Sequence, residues 1–153
     1  MNGQPLSLKG RALRLLAQRE HSRAELMAKL AAHVQEGDDL SALLDALQAK
    51  DFINPTRVAE SVVHRRAARL GTQRVVQELR AKGLDDTLVR ATAEQLRGSE
   101  LARAQAVWRQ RFGAPAATPQ ERAKQMRFLA SRGFAGDVVR RVVREAGGGE
   151  DDA

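Results

Sequence analysis

Apolar residues recur at spacings of three and four along nearly the whole chain, the period of amphipathic helices. Leu8, Ala12, Leu15 and Leu16 predict a first helix that stops near Arg19-Glu20-His21. Leu26, Met27, Leu30 and Val34 predict a second. Ser22 and Glu25 at its start have the spacing of a capping box, in which the hydroxyl takes a backbone N–H three residues on and the carboxylate reaches back. Gly37-Asp38-Asp39 breaks the chain and supplies a cap for a third helix carrying Leu40, Leu43, Leu44 and Leu47. Asn54 can cap a fourth helix, and Pro55 suits its first position, where a missing donor is no loss. That helix carries Val58, Ala59, Val62 and Val63 and runs to Leu70-Gly71. Thr72 opens a fifth with Val75, Val76 and Leu79, which Gly83 ends as a left-handed C-cap with Leu84 folded back over the last turn. Asp85 or Asp86 caps a sixth with Leu88, Val89, Ala93 and Leu96. A seventh, after Gly98-Ser99, carries Leu101, Ala104, Val107, Trp108 and Phe112. Thr118, Pro119 and Glu121 combine a cap, a first-turn proline and a capping acid at the start of an eighth, with Met126, Leu129 and Ala130 and a stop at Gly133. A ninth carries Val138, Val139, Val142 and Val143. Each valine pair falls inside a helical spacing, so the expected class is all-α.

The helices group by threes. Leu79 to Leu84 and Leu129 to Phe134 share a pattern fifty residues apart, in which a helix ends on a basic residue, a glycine and a large apolar residue, and a short valine-rich helix follows. The expected units are three tandem three-helix repeats, helix-turn-helix-like, over residues 8–54, 55–97 and 98–146, followed by a flexible acidic tail over 147–153. A unit of this size buries little core alone, whereas stacked units share faces. The expected shape is an elongated, curved array.

Charge sharpens this picture. The 153 residues carry 26 Lys and Arg against 19 Asp and Glu, a net of +7. Residues 1–54 are neutral, residues 55–111 hold twelve bases and six acids, and residues 112–153 hold seven and six. The middle repeat is therefore the electropositive part, densest at His64-Arg65-Arg66-Ala67-Ala68-Arg69. Such a run reads either as a solvated helix face or as a surface for phosphate or an acidic protein groove, and arginine suits bidentate recognition of both anions. The candidate contact residues are Arg57, Arg65, Arg66, Arg69, Arg74, Arg80, Lys82, Arg109, Arg111, Arg127 and Arg132.

Chemistry is thin elsewhere. With no cysteine there is no disulfide, thiolate metal site or cysteine nucleophile. His21, His33 and His64 lack ligand spacing, the Asp38-Asp39 and Asp85-Asp86 pairs read as helix caps, and no serine sits in a nucleophile elbow. Gly147-Gly148-Gly149 follows no strand and precedes no Lys-Ser/Thr, so it is no phosphate loop. Trp108 lies on an apolar face and reads as core, and five aromatic residues support little base stacking. No long apolar run and no secretory leader are visible, so a cytoplasmic protein without catalytic, cofactor or metal residues is expected.

Several strings, in order and with their spacings kept, resemble the RecX family of recombination regulators. They are Leu16 to Leu30 with its Ser22 and Glu25, Asp51-Phe52-Ile53-Asn54-Pro55-Thr56-Arg57-Val58-Ala59, Gly71 through Leu84, Trp108 to Gly113, and Lys124 to Phe134. The chain departs from the family at Pro55, where an acidic residue is usual, and at Val58, where an aromatic is usual. The resemblance implies three tandem three-helix repeats in a bacterial protein that binds the RecA recombinase. It implies binding in the groove of the RecA–DNA filament, with ATP hydrolysis, strand exchange and co-protease activity damped and the SOS response thereby affected. The Arg-rich middle repeat is where contact is expected, and a monomer is expected. Two other readings stand beside it: a basic helical-repeat protein that binds the DNA phosphate backbone independently of RecA, and a helical-repeat DNA-repair enzyme, which would need a carboxylate facing a basic concave surface.

Overall fold

A computed structural model describes residues 6–148. Among the described residues there are nine α-helices and no strand: α1 (Leu8–Gln18), α2 (Arg23–Leu30), α3 (Leu40–Ala49), α4 (Pro55–Arg66), α5 (Thr72–Ala81), α6 (Asp86–Arg97), α7 (Glu100–Arg111), α8 (Pro119–Ser131) and α9 (Gly136–Ala146). Residues 149–153 of the expected acidic tail lie outside the described residues. No described helix is long and apolar enough to cross a membrane.

Local chemistry accounts for most helix ends. Ser22 Oγ accepts the Glu25 N–H at 3.1 Å while Glu25 Oε1 accepts the Ser22 N–H at 2.9 Å, closing the capping box. Asp39, Asn54, Asp85 and Thr118 accept N–H groups of Ala42, Arg57, Leu88 and Glu121 at 2.9–3.1 Å. The Glu121 carboxylate reaches past its cap to the Ala117 N–H, at 2.7 Å. Gly83 and Gly133 end α5 and α8 at φ +76° and +90°, the left-handed conformation that a C-cap glycine adopts without Cβ strain.

Two boundaries differ from the apolar spacing. The second helix ends at Leu30 and continues as a 3-10 turn, Ala31–His33. The tighter winding rotates the following residues away from the buried stripe, so Val34, expected in the core, is exposed; Met27, also expected there and next to Leu26 within the second helix, is exposed too. The fourth helix stops at Arg66, where the N–H groups of Arg69 and Leu70 both turn back onto the Arg66 carbonyl.

Three cores lie in a row, one inside each group of three helices. Leu8, Ala12, Leu26, Leu30, Leu44, Leu47 and Ile53 form the first. Ala59, Val62, Val75, Leu79, Val89 and Leu96 form the second. Ala104, Val107, Trp108, Leu129, Phe134, Val139, Val142 and Val143 form the third. Trp108 is core, as its spacing predicts, and its Nε1–H donates to Gln125 Oε1 at 2.9 Å.

The joints between the groups are polar. At the first, Arg57 Nε meets Glu20 at 2.8 Å and Lys82 Nζ meets Glu25 at 3.1 Å. At the second, the buried Glu100 of α7 accepts the Thr72 N–H with one oxygen (3.1 Å) and the Ala135 N–H with the other (2.8 Å). One carboxylate thus serves the starts of α5 and α9, neither of which has a capping side chain of its own. One turn along α7, Arg103 donates to the carbonyls of Ala67, Leu70 and Leu96 where α4 and α6 end. Both placements match the helix dipole, anion at N-termini and cation at C-termini.

Backbone completes the second joint. The Gly71 N–H donates to the Arg132 carbonyl at 2.7 Å, and a Cβ on Gly71 would lie 2.3 Å from the Gly133 carbonyl carbon and oxygen. Neither contact can yield as a side chain would. Gly71→Ala is therefore expected to cost about 1–3 kcal/mol as an overpacked site, read as a lower midpoint in urea unfolding.

Candidate functional site

The structure sorts the eleven candidate cations by their neighbours. Five are engaged inside the chain. Arg57 bridges Glu20 and Asp51, both at 2.8 Å. Arg65 and Arg66 share Glu78 at 3.5 and 3.1 Å. Lys82, only 13% exposed, meets Glu25, and Arg74 Nη1 donates to the Ser131 carbonyl at 2.8 Å. These side chains brace α2, α4, α5 and α8 against one another, and an external anion would have to compete with those bonds. The other six, Arg69, Arg80, Arg109, Arg111, Arg127 and Arg132, make no side-chain hydrogen bond or salt bridge among the described residues. The structure brings Arg69, Arg111 and Arg132 together, whereas Arg80 lines a separate cleft of about 600 Å³ with Arg97 and Asp137. Arg109 and Arg127 are exposed on α7 and α8.

The convergence follows from where helices end. Arg111 closes α7, Arg132 is the C-cap of α8, and Arg69 sits in the turn after α4. Cations at C-termini are favoured by the dipole, so two helix ends meeting in space bring their arginines with them. With Val107, Gln110 and Phe128 they line a cleft of about 270 Å³ that, among the described residues, no acidic residue borders. The Arg132 guanidinium lies 4.8 Å from the Phe128 ring centroid and that of Arg111 5.2 Å from the same centroid. Phe112 meets Phe128 edge to face, at 5.5 Å and 87°. Such an arrangement can hold an anion. Among the described residues no three His, Asp or Glu side chains gather as a metal site requires.

Titration behaviour marks the first joint. Burial raises the Glu25 carboxyl, but the Arg19 guanidinium, the Ser22 N–H and the Lys82 ammonium outweigh it and hold it at about 2. Burial pushes His21 below its ordinary value, and its geometry fits a neutral ring, with Nδ1 on the Arg19 carbonyl and Nε2 accepting from Lys29. Both groups bind protons less readily folded than unfolded, so acid favours the unfolded chain. Stability is expected to decline as pH falls below the ordinary histidine value, and further between about 4.5 and about 2 as Glu25 protonates. Thermal midpoints measured from pH 7 to 2 check this, and Glu25→Gln should flatten the lower limb.

Glu100 and Arg103 are not legible as joint residues from their own positions, nor is Gln125 as the partner of Trp108 within the third group. The one signal was negative: Gly71 and Ala135 precede helices without offering a capping side chain, so buried donors there needed a distant acceptor.

Comparison with known proteins adds the family context. Residues 56–92 match the model of the second three-helix domain of RecX, and residues 99–143 that of the third. The chain is 53% identical over 149 residues to the regulatory protein RecX of Ralstonia nicotianae, covering 97% of this chain and 94% of that one. It is 52% identical to that of Leptothrix cholodnii, over 95% of this chain and 92% of the relative. In structure it resembles RecX from Lactobacillus salivarius with a TM-score of 0.75 at 21% identity, over 91% of this chain and 94% of the other.

Proposed function

We propose that this chain, which belongs to the RecX family of regulatory proteins, is a non-enzymatic inhibitor of the RecA recombinase. It binds the RecA–DNA filament in the cytoplasm as a monomer and damps ATP hydrolysis, strand exchange and co-protease activity, and with them the SOS response. The observation that carries this reading, beside the family, is the set of arginines on the second and third repeats that have no acidic partner among the described residues. A nucleoprotein filament presents acidic protein surface next to DNA phosphate, and unneutralised arginines suit both. A row of separately cored repeats offers a long surface to a long partner.

The test is single-strand-dependent ATP hydrolysis by RecA with this protein titrated in at two DNA concentrations. Inhibition at low ratios to RecA and insensitive to added DNA supports action on the filament. Inhibition only at amounts that coat the DNA, or none, favours the second reading, a basic repeat protein that binds DNA independently of RecA. The acid-free cleft of Arg69, Arg111 and Arg132 is what speaks for that alternative.

A further inference from the structure

We propose that the cleft bordered by Arg69, Arg111 and Arg132 binds a phosphodiester group of a nucleic-acid strand. The biological setting rests on the filament reading above, but the binding chemistry rests on the cleft. Arg111 and Arg132 stand 5.2 and 4.8 Å from one ring centroid, so their charges are at most ~10 Å apart. Arg69 lines the same cleft, and no carboxylate among the described residues does. Elsewhere the chain places acids against its clustered cations, as Glu78 does for Arg65, Arg66 and Lys82. Three like charges brought together without a counter-charge repel one another, and an anion relieves that repulsion.

The aromatic contacts define what kind of anion. The Arg111 guanidinium lies over the Phe112 and Phe128 rings and that of Arg132 over Phe128, and neither spends its N–H groups on a protein acceptor among the described residues. Those donors match the two non-bridging oxygens of a phosphodiester bidentately. Phe128 is already covered by cations and is not offered to a base, so the contact is to backbone and blind to sequence.

The experiment is fluorescence anisotropy of the full chain, without RecA, on a labelled single strand and on a duplex of equal length across a salt series. Arg111→Gln with Arg132→Gln is compared with Arg122→Gln plus Arg140→Gln, an equal loss of charge from the same repeat outside the cleft. The cleft pair is expected to weaken binding ~10-fold, and to make the slope of log affinity against log salt shallower by about 0.7 per lost contact on the single strand. The control pair should change affinity less than ~2-fold. Arg111→Lys, which keeps the charge and loses the planar fork, should fall between wild type and the double variant. Equal losses on strand and duplex point to the phosphodiester alone, and a loss confined to one names its source; both support the cleft. Equal losses for the two pairs, no oligonucleotide binding by the wild type at low salt, or a loss seen only against RecA free of DNA would overturn it, the last in favour of an acidic protein surface. None of these readouts depends on ATP hydrolysis by RecA, so the two readings fail separately.

Discussion

Glu100→Ala is expected to be among the most destabilising single substitutions in the chain, by about 3–5 kcal/mol. Its two carboxylate oxygens are the acceptors for the Thr72 and Ala135 N–H groups at the starts of α5 and α9, and Glu100 is 4% exposed. Removing it leaves two helix-end donors with no protein partner, at about 1–3 kcal/mol for each that water cannot reach. It also takes away the negative charge that offsets the burial of the Arg103 guanidinium, and an uncompensated buried cation adds to the loss. Glu100→Gln keeps the shape and one good acceptor but turns an –NH₂ toward the other donor, so an intermediate loss is expected. Urea unfolding followed by helix signal and by Trp108 fluorescence checks both. Trp108 reports the third core alone, so a separation of the two transitions would show that the second and third repeats have uncoupled. Coincident transitions with an unchanged midpoint would refute the role assigned to Glu100.

Reversing the charge at Arg69, Arg111 and Arg132 together is expected to raise the concentration needed for half-inhibition of RecA ATP hydrolysis by ~100-fold or more, about 2.7 kcal/mol. Each substitution removes an attraction to an anionic partner and puts a repulsion in its place. The fold should survive, because these side chains hold nothing in place by hydrogen bonds among the described residues; lost cation–π contacts cost about 0.5–1 kcal/mol each at exposed sites. Reversal at Arg57 or Lys82 should read the other way. Those side chains face Glu20, Asp51 and Glu25, so stability would fall first and inhibition only through it. A triple variant that inhibits like the wild type at moderate salt would remove the cleft from the partner surface.

The contrast between these two groups of arginines shows how far the chain can be read residue by residue. Arg65 and Arg69 are four apart in one basic run and look equivalent on paper, yet one meets Glu78 and the other lines an acid-free cleft. No local rule separates them, because Glu78 is on the next helix and Arg132 is a repeat away.

Helix starts and stops, by contrast, are decided within a turn or two of backbone. Ser22 with Glu25, Asn54 with Pro55, Asp85, and Thr118 with Pro119 each satisfy donors three residues away, so spacing alone predicts them. The same holds for Gly83 and Gly133, whose positive φ follows from ending a helix. The order of helices, their grouping and most of each core follow from such short-range chemistry together with apolar period. The contacts between groups have no such origin. Glu100 serving two distant helix starts, Gly71 lying on the Gly133 backbone, and two helix C-termini bringing Arg111 and Arg132 to one phenylalanine all depend on how finished units stack. Stacking is set by long-range shape and by which buried donors still lack an acceptor, and neither quantity exists until the chain has folded.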